Sequence, residues 1–341
     1  MDKTKGKIKQ FLTRDISPDI KEVFRDSNME RMAFFVMLFF AIIPSIISIY
    51  AMIIPDFERI LSVYYALLKS ITFKMVLVVA LIVMIHSLIS RKKDIILPTT
   101  LLFFAMIVWM VLSHIYQKCH GWEWYLSPYL NESIWTQILY VTGFYFLAIQ
   151  INRENMKIWI CRVSIIVSDV VAVAAFYLWQ HMTFPVYLGD YTIGFAGIFT
   201  NINYYGYFLT VCIMLSAGSF VSESSDAWRK VSLASLILNS VALGLNDTLG
   251  AWIACGVGCV FLIIVYYIKD GHIDRSSIIA TIAFGVSLIL SSLFGGTIVN
   301  NLNSIGTDIE MIISQDEMMG RAGSGRLQIW IKTLELINNN P

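Results

Sequence analysis

Near the C-terminus two arginines, Arg321 and Arg326, stand among Gly320, Gly323 and Gly325 and run straight into an apolar stripe of Leu327, Trp330, Ile331, Leu334 and Ile337. That three-and-four spacing predicts an amphipathic helix. Ser324 or Gly325 would start it, and Asn338 to Pro341 would end it. A glycine-rich lead-in leaves backbone N–H groups free at the positive end of such a helix, and two guanidinium forks stand beside it. These groups together suit a phosphate or pyrophosphate held at a membrane surface. A plain glycine-rich connector before a surface helix is the alternative.

A second candidate is Asp169, which lies in a long apolar run seven residues after Arg162. On a helix the two share one face, roughly 10 Å apart along the axis. Arg162 can snorkel to the surface, whereas Asp169 cannot. An intramembrane carboxylate points to substrate binding or proton handling, or else to a structural ion pair or a protonated hydrogen-bond donor to a neighbouring helix. His114, Cys119, His120 and Glu123 cluster in one loop, but their spacing matches no compact zinc pattern, so no metal is expected. There is no Gly-x-Ser-x-Gly elbow, phosphate loop or dinucleotide fingerprint, and no cofactor is expected.

The elements that position these groups follow from composition. The chain has 341 residues, 57% hydrophobic and 14% charged. That excludes a soluble enzyme, a disordered tail, a disulfide scaffold and a transmembrane barrel. About nine apolar runs can each supply the roughly 20 helical residues that cross a hydrocarbon core. They lie near 31–52, 71–89, 95–114, 134–151, 158–179, 204–220, 231–245, 249–268 and 277–294. The expected fold is all-α: a polytopic α-helical integral membrane protein. With the N-terminus inside, 17 Lys and Arg fall in inner segments and 6 in outer ones, so the positive-inside rule sets that orientation.

Three regions result: a basic N-terminal segment over 1–30, a membrane body over 31–294, and a polar outer loop over 295–341. Lys3, Lys5, Lys7 and Lys9, with Ile8, Phe11 and Leu12, could rest on anionic lipid or serve only to orient the first span. Cys161, Cys212, Cys255 and Cys259 fall within spans, which leaves no outer disulfide within one chain. No basic, aromatic-studded surface points to nucleic acid. Gly250, Ala254 and Gly258 recur every four residues, with Ala251 and Cys255 beside them. This predicts close packing against another helix of the chain, with a dimer seam or a lipid groove as alternatives.

The run Ala322-Gly323-Ser324-Gly325-Arg326, followed by Ile329-Trp330 and the Leu/Ile stripe, resembles the extracytoplasmic loop of the O-antigen ligase and polysaccharide polymerase superfamily. Phe199-Thr200-Asn201-Ile202-Asn203-Tyr204-Tyr205-Gly206 is similar to that family's Asn-containing helix entry. Leu245-Asn246-Asp247-Thr248-Leu249-Gly250-Ala251-Trp252 is similar to its polar turn into a small-residue helix. The resemblance implies a metal-independent glycosyltransferase of the bacterial inner membrane. Such an enzyme moves a glycan from an undecaprenyl diphosphate carrier to an acceptor during surface polysaccharide assembly. It assigns Arg326 to the diphosphate and Trp330 to the loop helix over the cavity, with Asn201, Asn203 and Asp247 as further carry-overs.

The chain departs from the family at Leu249, where an arginine is usual. By the family pattern it also stops inside the outer loop, before a catalytic histidine that would lie beyond Pro341. The candidate substrate-binding set is therefore Arg326, Arg321, Trp330, Asn203, Asp247 and Asp169. The rival readings are a lipid-linked oligosaccharide transporter or flippase, with Asp169 and Arg162 on a central cavity, and a non-catalytic membrane subunit.

Overall fold

A computed structural model describes residues 26–54, 150–151, 153–181, 186–188, 191–193, 195–199 and 201–301, with short pieces of 78–86, 105–115, 303–307 and 332–335. Its helices are α1 (Asp26–Ile53), α2 (Glu154–His181), α3 (Ile202–Ser222), α4 (Asp226–Leu245), α5 (Leu249–Asp270) and α6 (Arg275–Gly295). Between α2 and α3 strands β1 (Val186–Leu188) and β2 (Tyr191–Ile193) pair antiparallel, with Val186 opposite Ile193. This small hairpin is an addition to the all-helical expectation. Two β-branched and aromatic triplets separated by Gly189-Asp190 are its sequence signal.

Among the described residues five helices are long and apolar enough to cross a membrane: residues 28–53, then α2, α3, α5 and α6. The expected runs near 71–89, 95–114 and 134–151 lie largely outside the described residues. The run at 231–245 is part of α4, whose 20 residues carry Ser232, Ser235, Asn239 and Ser240 on the buried face. Those groups lower its hydropathy while the helix packs inside its neighbours.

The chain divides into two units, residues 1–44 with 62–163, and residues 45–61 with 164–341. In the first, Met29, Ala33 and Val36 of α1 pack with Ala80, Val83 and Ile151. The carboxylate of Glu30, almost fully buried, is bonded by the Arg153 backbone N–H at 2.8 Å and lies 3.3 Å from Arg153 Nε. Burying a carboxylate without such partners would be costly.

In the second unit α3 to α6 alternate in direction, and α3 and α6 both lie between α4 and α5. The termini are capped by their own sequence. Asn201 accepts from the Asn203 N–H to start α3, and Asp274 accepts from the Ser277 N–H to start α6. Gly271 and Gly296 end α5 and α6 in the left-handed conformation (φ 73° and 71°), where glycine meets no Cβ penalty.

The small-residue expectation for α5 holds for Ala251 and Cys255 and fails for Gly250 and Ala254. Ala251, Cys255 and Cys259 form the buried face, whereas Gly250 and Ala254 are exposed. Both sets repeat every four residues, and a step of one residue rotates the face by about 100°. Gly258 does serve close packing, because a Cβ there would run into the Met214 side chain of α3.

Candidate functional site

At the end of the second unit where α3 and α5 begin and α4 and α6 finish, the stretches 199–206 and 245–252 come together. Asn246 is fully buried, and its Nδ2 donates to the carbonyls of Phe195 at 2.9 Å and Ile202 at 3.0 Å. Thr248 Oγ1 donates to the same Ile202 carbonyl at 3.3 Å. Near the end of α4 the Leu243 carbonyl accepts both the Asn246 backbone N–H at 3.1 Å and the Trp252 indole N–H at 2.9 Å.

This closeness depends on a missing side chain. A Cβ on Gly206 would lie 2.9 Å from both Asn246 Oδ1 and Thr248 Cβ. Below the junction Tyr205, fully buried, stacks on Phe199 with ring centroids 5.4 Å apart, and Phe195 bridges Tyr205 to Trp179 and Phe176 of α2.

The ends of α4 and α6 meet on the other side of the junction. A Cβ on Gly244 would collide with Ser291 and come within 2.8 Å of the Leu288 carbonyl. Thr297, just past the Gly296 cap, donates its hydroxyl to Gly244 O. Asp247 is exposed at this rim. Partial desolvation raises its pKa above the ordinary carboxyl value, and the neighbouring Asn301 side chain acts in the opposite direction. Asn301 Nδ2 is buried, outside hydrogen-bonding geometry with any described acceptor, and Asn246 Oδ1 is likewise unpartnered among the described residues.

A second polar group lies deeper, among α2, α3 and α4. Asn239 Nδ2 stands 3.3 Å from Asp169 Oδ1, 3.1 Å from Ser168 Oγ and 2.9 Å from the Ser235 carbonyl. Ser216 of α3 donates to Ser235 Oγ at 3.2 Å. Ser219 and Ser232 share a hydrogen bond of 2.8 Å one turn away. Asp169 thus accepts from an amide of a neighbouring helix, where the sequence suggested a protonated donor. The Arg162 guanidinium lies 5.7 Å over the Trp159 ring.

The candidate residues therefore fall in three places. Asn203 and Asp247 share the rim: Asn203 gives its backbone N–H to Asn201 in the first turn of α3, and Asp247 lies in the turn before α5. Asp169 belongs to the deeper group, at a different level of the same unit. Arg321, Arg326 and Trp330 lie outside the described residues, as does the loop group His114, Cys119, His120 and Glu123. Of the expected loop helix, residues 332–335 are described and are helical. Asn246 and Thr248 organise the rim although only their motif, not their role, is visible in the sequence. Asn239 shows there only as an amide inside an apolar run.

Residues 234–341 match the family model described as O-antigen ligase. That stretch holds most of α4, all of α5 and α6, the 246–248 turn, Thr297 and Asn301, together with Arg321, Arg326 and Trp330. Neither a curated protein nor a solved structure matches the chain. Over residues 234–341 the chain is similar to the O-antigen ligase family.

Proposed function

We propose that the protein is a membrane glycosyltransferase of the O-antigen ligase or polymerase type, using a glycan carried on undecaprenyl diphosphate. The coarser statement, an O-antigen ligase-type membrane function in polysaccharide assembly, rests on the family match and on the five apolar helices. The observation that carries the finer proposal is the overlap of the matched region with the polar rim. The 246–248 turn anchors the entry of α3 there, and the matched sequence runs on through Arg321 and Arg326.

In this proposal the body has about nine spans, the N-terminus and the 1–30 segment are inside, and the rim and the 295–341 loop face outward across the bacterial inner membrane. Arg326, with Arg321, holds the diphosphate, where negative charge grows as the anomeric bond breaks, and Trp330 sits on the loop helix above it. Asn203 and Asp247 stand at the rim to meet hydroxyls of the glycan. The raised proton affinity of Asp247 suits a group that accepts a hydrogen bond or a proton from an acceptor hydroxyl. Asp169, in the group around Asn239, is the remaining candidate contact and lies apart from the rim.

Accessibility of introduced cysteines tests this placement against a transporter. With Arg326→Cys and Asp169→Cys in intact cells, the enzyme reading expects an impermeant maleimide to label position 326 from outside. It also expects diphosphate lipid to protect that position while position 169 stays unlabelled. Substrate-protected labelling at position 169 with none at 326 would favour the transporter.

A further inference from the structure

Asp247 is the only charged residue in the three stretches that meet at the rim, 199–208, 240–253 and 290–301. The other titratable groups there are the phenols of Tyr204, Tyr205 and Tyr207. Those stretches hold no Lys, Arg or His, so within them only a neutral donor can orient the carboxyl. The backbone presents it sharply. The Thr248 N–H bonds the Asn246 carbonyl at 2.7 Å, which closes a three-residue turn with Asp247 at its tip.

The chain after α6 supplies that donor. Beyond the left-handed Gly296, residues 297–301 are helical, and the Asn300 N–H bonds the Gly296 carbonyl at 3.3 Å. Thr297 and Asn301 share one face of this turn and are buried, whereas Val299 and Asn300 are exposed. Thr297 fixes that face against α4 by donating to Gly244 O. Asn301 follows one turn later, roughly 6 Å along the axis, just as Asp247 follows Gly244 on the facing chain. The Asn301 and Asp247 side chains are neighbours as a result. Asn301 Nδ2 is buried and meets no described acceptor in bonding geometry, while Asp247 is exposed. The carboxyl is therefore open to the rim and has an unspent amide donor beside it. A buried N–H group left without an acceptor is costly, and a carboxylate is the strongest acceptor a side chain offers.

We propose that Asn301 is a positioning residue for Asp247: its amide donates to the carboxyl from the buried side and turns the other oxygen toward the open rim. The proposal rests on the reading of the rim as the place where glycan hydroxyls are met. It adds to that reading a residue from the first turn after α6, so that the chain leading to Arg321 and Arg326 also sets the carboxyl of the 246–248 turn.

Thermal midpoints of the purified full chain, followed upward from acid pH, test the contact without substrate. An amide donor favours the charged carboxyl, so in Asn301→Leu the midpoint should fall further with rising pH than in the parent. In an Asp247→Asn background the same substitution should leave the pH dependence unchanged. Asn300→Ala, at an exposed neighbour, should follow the parent. The pH–rate profile of glycan transfer then tests the role. Asn301→Leu should lower the rate by about tenfold or more and shift the acid limb to higher pH. A merely structural loss would lower the rate and leave the limb in place. If Asn301→Leu does not yield a folded protein, Asn301→Ala decides, because it removes the same amide without adding bulk. A midpoint lowered equally at every pH, or an acid limb that stays where the parent has it, overturns the proposal. If the parent transfers no glycan, the glycan reading fails, and the midpoint series alone decides whether Asn301 holds Asp247.

Discussion

Asn246, in the turn after α4, donates from Nδ2 to the carbonyl of Ile202, the first residue of α3, at 3.0 Å. One amide therefore joins the two sequence stretches that carry the family resemblance in this half of the chain, although 44 residues separate the partners. The Phe195 carbonyl takes the other amide hydrogen at 2.9 Å, so both hydrogens are used and the junction has a defined geometry.

Asn246→Leu should destabilise the purified protein by about 1–3 kcal/mol, the cost of leaving the Phe195 carbonyl unanswered and of losing one of the two side-chain bonds to Ile202. Denaturant or thermal unfolding in detergent measures this. An unchanged midpoint would mean that the amide does not anchor the α3 entry.

Gly206→Ala should cost about 1–3 kcal/mol, because the new methyl lies 2.9 Å from Asn246 Oδ1 and Thr248 Cβ and the junction must spread. Gly218, on the same helix, has nothing within 4 Å of the corresponding position. There the change to alanine should be neutral or stabilising by up to about 1 kcal/mol, through helix propensity alone. Equal effects at the two glycines would contradict the close approach.

Gly244 and Ser291 form a testable pair across α4 and α6. Gly244→Ala alone should destabilise, since its methyl collides with the Ser291 side chain. Adding Ser291→Gly should recover part of the loss, leaving the contact with the Leu288 carbonyl at 2.8 Å unrelieved. A double-mutant cycle reads the coupling, expected at about 0.5–3 kcal/mol for residues in contact. A coupling of zero would show that the two helices do not meet there.

Asp247 provides a pH test. Partial desolvation raises its pKa in the folded chain above the value of 3.8 for an ordinary carboxyl. The folded state therefore holds this proton more tightly than the unfolded one. The stabilising contribution is complete below 3.8 and is lost as pH rises through the raised value. Asp247→Asn should remove this dependence, so the parent should lose stability relative to the variant as pH rises above 3.8. Parallel thermal midpoints over that rise would contradict the shift.

The apolar helices were legible because long runs of Ile, Val, Leu and Phe leave no other structure open in a membrane. Observed and expected limits differ by a few residues: 277–294 was expected for α6, which runs over Arg275–Gly295. For α4 the expected start at Val231 missed a turn, since Asp226, Arg229 and Lys230 read as a connecting loop. Arg229 in fact bonds the Phe220 carbonyl and Ser276 Oγ, which holds that turn against the ends of α3 and α6.

The lining of the junction was not legible, because it depends on distant carbonyls. A sequence shows Asn246 as a polar residue in a turn, and only the fold brings the Phe195 and Ile202 carbonyls to it. Likewise the spacing of Gly250, Ala254 and Gly258 fits a packed face as well as Ala251, Cys255 and Cys259 does. The rotation of α5 against α3 and α6 decides between them.

The central claim is transfer of a lipid-linked glycan by a site that includes Arg326. The most direct measurement is glycan transfer in membranes carrying the protein, with undecaprenyl diphosphate-linked glycan supplied, comparing the parent with Arg326→Ala and Arg326→Lys. Transferred or polymerised glycan should form with the parent. Its rate should fall by about 10²–10³ in Arg326→Ala, the loss typical of removing one group that stabilises developing negative charge. Arg326→Lys should retain part of the rate, since the charge remains while the guanidinium fork is lost. Transfer at the parental rate in Arg326→Ala, or no transfer by the parent, would contradict the account.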